Sequence, residues 1–450
     1  MCLAGTVMKP GCVLAALVSA LSLALAVCGC SVREEGLVGG ADGSWHGAAA
    51  SGSAGVEVLN PEDAGDELQW DWLREMALAN NPGLRGAQAA WQAALAKVPQ
   101  ARALPDPRAT YGYFLEPVET RTGPQGQRVG VSQMLPWFGT LPLRERMAIA
   151  EAEAAFQSFR QKELALLLDL KTAFLEYGYL RAAIELSREH LELLGLIESV
   201  TAARFSSGML SQSALIQVQM ERGKADERIR SLEARRPAQS ALILALIGGG
   251  ATDSLLPWPE RNADRPESFS LDDWMTRMLA QNPTLQRLRL LQERGRDGVR
   301  LARKSYYPDL TLGFEVIDID GGDNPAMASI GLNLPIWRGR LAAGQHEASE
   351  RLRGVEAELA DHENRLSAEL ATLFFQYEDA QRKVALYHDS LIPKARQAIE
   401  VGLKGFEGGQ VRFADLLDAE RTLLEFLLTE AREEANRAIR AAEIEAIIGE

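Results

Sequence analysis

The sequence predicts a mainly α chain with membrane β: a duplicated unit of long antiparallel coiled-coil helices plus two β-hairpins, four strands in all. Three observations predict it. The first is an internal repeat. Asn81-Pro82 recurs as Asn282-Pro283, Pro107 as Pro308, Phe205-Ser206-Ser207-Gly208 as Phe406-Glu407-Gly408-Gly409, and Ile247-Gly248 as Ile448-Gly449. The differences 283−82, 308−107, 406−205 and 448−247 all equal 201, a period far longer than that of solenoid repeats. The second is a switch to alternating apolar residues just after Pro107 and again after Pro308. The third is a helical pattern of unusual length behind each alternating region, free of Pro for most of its course.

Composition bounds the function. The chain has 450 residues, 46% hydrophobic and 24% charged, which is ordinary globular material with ample length for a core. A net charge of −14 argues against nucleic acid as a partner. His46, His190, His346, His362 and His388 are scattered, without metal-ligand spacing to Cys or to one another. All four cysteines, Cys2, Cys12, Cys28 and Cys30, fall in the first thirty residues. There a short region with Lys9 precedes an apolar run over 13–27 and then small residues, the order of a secretory signal peptide. It resembles a bacterial lipoprotein signal, with Val27 and Gly29 before a lipidated Cys30, although Cys28 is an unusual neighbour. An ordinary secretory signal cut nearby is the alternative. Ser31 stands where an inner-membrane retention signal would place Asp, which favours the outer membrane. Residues 1–29 are thus read as signal, and 30–66, rich in Gly, Ala and Ser, as a flexible tether.

The elements follow in order. Residues 70–79 predict a short helix, ended by Asn81-Pro82 because Pro disfavours a helical residue before it. A second helix runs to about residue 104, with Pro99 as a kink. Ala109, Tyr111, Tyr113 and Leu115 then alternate with smaller or polar residues, with Phe114 breaking the pattern, and predict a strand over 108–116. Val129, Val131 and Leu135 predict its partner over 127–135. The second copy is sharper: Leu310, Leu312, Phe314 and Val316 share one face of a strand over 309–317, and Ala328, Ile330, Leu332 and Leu334 one face of a strand over 327–334. Each strand is near the length that crosses a bilayer when tilted, and one apolar face against one small, polar face suits a wall between lipid and water. A half-buried pair in a soluble sandwich alternates the same way. The hinges Leu135-Pro136-Trp137-Phe138-Gly139 and Leu334-Pro335-Ile336-Trp337-Arg338-Gly339 follow. Beyond them, helices over 141–205 and 341–406 (the latter kinked at Pro393) reach on the order of 100 Å at about 1.5 Å per residue. Glycine turns reverse the chain into return helices over 211–247, split near Pro237, and 411–448. Two repeats, 67–249 and 267–450, are joined by a Pro-rich linker over 250–266.

Four strands cannot close a barrel alone, and open edges cannot stand in lipid, so strands that span must be shared among chains. With the duplication, the strand–strand–hinge order, and Phe406-Glu407-Gly408-Gly409 followed by Asp415-Leu416-Leu417-Asp418-Ala419, the chain resembles the TolC family of outer-membrane efflux ducts. The resemblance covers about 67–449 and implies a homotrimer, whose protomers give four strands each to one twelve-stranded barrel continuous with an α-helical tunnel in the periplasm. Lipidated Cys30 would match the acylated subgroup. The resemblance implies as partners a periplasmic adaptor (membrane fusion) protein, an inner-membrane transporter of the resistance-nodulation-division type, and outer-membrane lipid. It places Asp415 and Asp418 at the periplasmic entrance as rings of negative charge, which favour cations; the alternative is two solvated residues near a helix N-terminus. Some members close the entrance with a Tyr and an Arg; here those positions are Phe406 and Val411, with Arg412 next to the latter. The turns carrying Phe205 and Gly208, and Phe406 and Gly409, would face the adaptor. Tyr111, Tyr113, Leu310, Leu312, Phe314, Ile330 and Leu332 would face lipid. The first hinge resembles the metal-cation branch of the family.

The predicted function is passive export through an outer-membrane duct of a tripartite pump. The alternative is a periplasmic coiled-coil scaffold lipoprotein without a pore, which would have no use for two hairpins with apolar faces. No nucleophile motif, phosphate loop or metal spacing occurs in the sequence, so neither enzymatic activity nor a cofactor is expected.

Overall fold

The computed structural model describes residues 65–121, 123–249, 255–260, 270–319 and 324–450. The signal, Cys30 and nearly all of the tether lie outside the described residues. The first repeat runs α1 (Trp70–Asn80), α2 (Pro82–Arg102), β1 (Arg108–Thr120), β2 (Gly123–Leu135), α3 (Thr140–Ser206), α4 (Gln212–Glu233) and α5 (Arg236–Leu246). The second runs α6 (Leu271–Gln281), α7 (Pro283–Lys304), β3 (Asp309–Ile319), β4 (Ala326–Asn333), α8 (Arg338–Leu386), a π turn (Tyr387–Leu391), α9 (Ile392–Glu407) and α10 (Phe413–Ile448). No described helix is long and apolar enough to cross a membrane.

The Asn-Pro pairs close each repeat on itself. Asn81 Oδ1 accepts from Leu84 N at 3.0 Å, capping α2, while its Nδ2 donates to Leu246 O at 2.9 Å, at the end of the return helix. Asn282 does both jobs in the second repeat, with Leu285 N at 3.1 Å and Ile447 O at 2.7 Å. Pro82 and Pro283 follow at the first helical position, where a missing N–H costs nothing. The returning chain arrives at Gly248, at φ +82°, so close that a Cβ would stand 2.6 Å from Asn80 O. Gly449, at φ +103°, meets Gln281 O in the same way at 2.9 Å.

The repeat is not rigidly spaced throughout. Leu135 and Leu334 at the hinges differ by 334−135 = 199, because the second hairpin as a whole is two residues shorter, 334−308 = 26 against 135−107 = 28. Tyr177 and Tyr377, both buried on the long helices, differ by 377−177 = 200. The offset of 201 returns at Phe406 only after the π turn, and a single π turn is the form in which a helix absorbs one extra residue. The kink expected at Pro393 therefore takes this form, one turn upstream. In the first repeat the split near Pro237 is observed, with α4 ending at Glu233 and α5 starting at Arg236. Pro99 instead lies inside a continuous α2.

The four strands make one antiparallel sheet in the order β1-β2-β3-β4. β1 and β2 extend beyond the expected 108–116 and 127–135, each to 13 residues. The break at Phe114 is a register shift between Tyr113 and Val118. Pairing aligns Tyr111 with Val129 and Val316, Val131 with Phe314 and Ala328, and Leu135 with Leu310 and Leu332. All seven residues expected to face lipid thus share one face; Leu310 is half-buried and the other six are exposed.

Apolar side chains collect in three clusters. One gathers Leu73, Phe174, Tyr177 and Ile247 in the first repeat, and its counterpart gathers Trp274, Tyr377 and Ile448 in the second. The third joins both repeats at the far end of the long helices. The Pro-rich linker is partly built into the first cluster. Residues 255–260 bring buried Leu256 against α3, where Leu256 O accepts from Tyr177 Oη at 2.8 Å and from Arg236 Nη2 at 3.0 Å. Pro259 bridges to Leu68, so these residues form a strap rather than a free connection.

Candidate functional site

Two regions bear on function: the far ends of the helices and the faces of the sheet. At the helical ends both turns close alike. Gly208 N donates to Phe205 O at 2.9 Å and Gly409 N to Phe406 O at 3.0 Å. Gly208 stands at φ +74° and Gly409 at φ +75°, left-handed values that favour Gly there. Phe205 and Met209 are exposed on the first turn.

Phe406 corrects the expectation from the sequence. Its ring is 1% exposed and packs with Phe413, Leu416 and Leu417, so it neither lines an opening nor presents itself to a partner. A side chain without a hydroxyl gains more from this apolar cluster than from water. Its backbone carbonyl is used instead: Arg204 Nη1, from the first turn, donates to Phe406 O, and the guanidinium lies 5.0 Å from the Phe406 ring. The two turns of one chain are thereby tied together.

Asp415 and Asp418 stand one helical turn apart on the exposed side of α10, opposite buried Leu416, Leu417 and Glu420. Neither is alone. Arg412 grips Asp415 with two parallel bonds, Nε to Oδ2 at 3.0 Å and Nη2 to Oδ1 at 2.8 Å. This bond and the guanidinium charge hold the Asp415 carboxyl below the usual carboxylate range. Asp418 accepts from Arg421 Nη1 at 3.2 Å, and Arg421 Nη2 reaches Glu221 on α4 at 2.7 Å. The arginine partners at i−3 and i+3 stand in the sequence as spacing alone, which does not distinguish a pair from two solvated charges. Buried Glu420 meets His190 Nδ1 of α3, a contact between repeats that nothing local in the sequence signals.

On the sheet, the face opposite the apolar one carries Thr110, Gly112, Gly130, Ser132, Gly313 and Gly331. Among the described residues, no cluster of three His, Cys, Asp or Glu stands ready for a metal ion.

A small open sheet set on long antiparallel helix pairs defines a TolC-like channel protein. The chain belongs to the outer membrane efflux protein family, whose profile matches residues 73–249 and 274–450, one match for each repeat. It is 22% identical over 391 residues to the cobalt-zinc-cadmium resistance protein CzcC of Cupriavidus metallidurans, covering 83% of this chain and 88% of that one. It is 22% identical over 364 residues to the outer membrane efflux protein BepC of Brucella suis, covering 77% and 78%. The fold superposes on the outer membrane protein VceC of Vibrio cholerae with a TM-score of 0.72 at 18% identity, over 84% of this chain and 96% of that one. The protein is thus an outer-membrane efflux protein, and its place is the outer membrane.

Proposed function

We propose that the chain is one protomer of a homotrimeric exit duct, whose sheets join into a twelve-stranded barrel and whose helices form a tunnel through the periplasm. The open sheet carries this reading. β1 and β4 each leave one edge without a strand partner among the described residues, and unpaired edges cannot stand in lipid. Pairing β4 of one copy with β1 of the next would satisfy both. Tyr111, Tyr113, Leu312, Phe314, Ile330 and Leu332 would then meet outer-membrane lipid, with Leu310 at the margin. A poreless scaffold would leave this exposed apolar face without a use. Cys30 would add a lipid anchor. A duct requires passage rather than bond chemistry, so we assign the protein no enzymatic role. An inner-membrane transporter would deliver cargo through a periplasmic adaptor docked at the turns of Phe205, Gly208 and Gly409, and cargo would be chosen upstream by that transporter.

At the entrance, three copies of Asp415 and Asp418 would form acidic rings, tempered by Arg412 and Arg421. Such a collar prefers cations modestly. The test is mass in detergent together with the reversal potential of single channels in a salt gradient. A trimer with mild cation preference is expected. Arg412→Ala should sharpen that preference, and Asp415→Ala with Asp418→Ala should abolish it. A monomer that never conducts would overturn the duct, and a trimer whose selectivity ignores all three substitutions would overturn the rings.

A further inference from the structure

Small side chains predominate on the polar face of the sheet, yet charged ones stand among them: Arg108 and Asp309 at one end, and the pair Arg128 and Glu315 further along. Arg128 on β2 and Glu315 on β3 share this face, because Arg128 pairs with Ile317 and Gly130 with Glu315. Arg128 Nε lies 3.4 Å from Glu315 Oε1, and no other bond holds the guanidinium among the described residues. The Arg128 side chain is 57% exposed and that of Glu315 is 23% exposed.

The glycines around the pair explain its posture. Gly112 stands directly opposite Arg128 on β1. A Cβ there would lie 2.8 Å from Arg128 Nε and 3.0 Å from its Cγ. Gly112 has no positive φ, so what this glycine supplies is room for the Arg128 side chain rather than a special backbone conformation. At Gly130, between Thr110 and Glu315, a Cβ would lie 3.0 Å from Thr110 Oγ1, 3.3 Å from Phe314 O and 3.4 Å from Glu315 Cβ. The carboxylate of Glu315 on β3 reaches across β2, while the Arg128 side chain lies flat over Gly112 on β1. Standing free, the arginine would project from the sheet.

We propose that the Arg128–Glu315 pair is a charge-neutralising station of the bore, in which each side chain offsets the other so that the wall there admits small solutes of either sign. This rests on the trimeric barrel, in which the polar face lines the water-filled lumen and three pairs ring it. Each pair cancels its own charge, so the bore does not discriminate there and sorting is left to the helical entrance. Breaking one member of each pair would place three like charges around the bore, where lumen charges set ion preference.

The experiment reads the local potential from the outer end, whether or not the periplasmic entrance is open. Thr110→Cys puts a thiol on the polar face, opposite Gly130 and so in the row of Glu315. It is the one cysteine beyond residue 30. Its labelling rate by a cationic and by an anionic methanethiosulfonate is measured on the full protein in outer-membrane vesicles. With the pair intact, the ratio of rates gives the reference value, set in part by Arg108 two residues away on the same face. Glu315→Gln should lower the cation-to-anion ratio about two- to three-fold and Arg128→Gln should raise it by a similar factor, as unit charges within a Debye length do. The double variant should restore the starting ratio. Identical ratios in all four proteins, or both single variants shifting the same way, would overturn the proposal while leaving the barrel standing. A Leu312→Cys reporter on the apolar face, labelled as fast as Thr110→Cys, would overturn the barrel and the proposal with it.

Discussion

Two asparagines illustrate how much a single side chain can fix. Asn81 and Asn282 each cap a helix and hold a returning carbonyl. Removing either should cost the cap and leave Leu246 O or Ile447 O unpaired, about 2 kcal/mol together. Asn81→Ala and Asn282→Ala should therefore lower the midpoint of chemical denaturation by matching amounts, and a variant without effect would show that the cap and carbonyl bond do not hold that repeat closed. His388 on the π turn offers a second test. Its Nδ1 lies 2.7 Å from Glu430 on α10, and that bond together with the Glu430 charge raises its pKa above the usual histidine range. A raised native pKa means that the contact stabilises fully below the unfolded value and fades as pH rises through the native one. In protein carrying labelled histidine, the His388 signal should titrate above 6.5 and fall back in Glu430→Gln. A midpoint already at the ordinary value would remove the pair.

At the level of the element, the π turn is the informative feature. From Gly139 to Phe205 is 205−139 = 66 residues, and from Gly339 to Phe406 is 406−339 = 67. The turn takes up the extra residue, so apolar positions before and after it keep facing their partners. Pro393 just beyond it lacks the N–H that a regular helix would use. Deleting Ser390 together with Pro393→Ala should give a regular helix with stability changed by no more than about 1 kcal/mol. Deleting Glu189 in the middle of α3 should cost several times more, because everything beyond it turns by about 100° and Leu194 and Ile197 leave their cluster. Melting temperature and helical circular dichroism distinguish the two, and equal losses would deny the turn its role as a one-residue spacer. Its position was hidden in the sequence because the four punctuation pairs sharing the offset of 201 lie outside the stretch where the spacing falls to 199 and 200.

Across the whole molecule, what the sequence disclosed was periodic or conformational. Alternation along β3 and β4 identified the sheet and its apolar face, because the pleat imposes a period of two. Gly208 and Gly409 betrayed the turns, because few other residues adopt their φ. Contacts between residues far apart in the chain left no such trace. Burial of Phe406 depends on Phe413 and on the cluster shared by both repeats, and the Arg204 bond to its carbonyl joins positions 202 residues apart. Leu256 looked like linker because only Tyr177 and Arg236, distant in sequence, give its carbonyl a partner.

Each repeat leaves from an asparagine and returns to it, and Arg204 ties the two tips together. Reach therefore cannot evolve at one place. A heptad inserted into an ascending leg must be matched in the descending leg to keep their apolar stripes aligned, and then in both legs of the other repeat to keep the tips level. Four concerted insertions lengthen the molecule by about 10 Å; one alone shears it. Lineages that span a wider periplasm should carry such insertions in sets of four, leaving the sheet at one end and the glycine turns at the other unchanged.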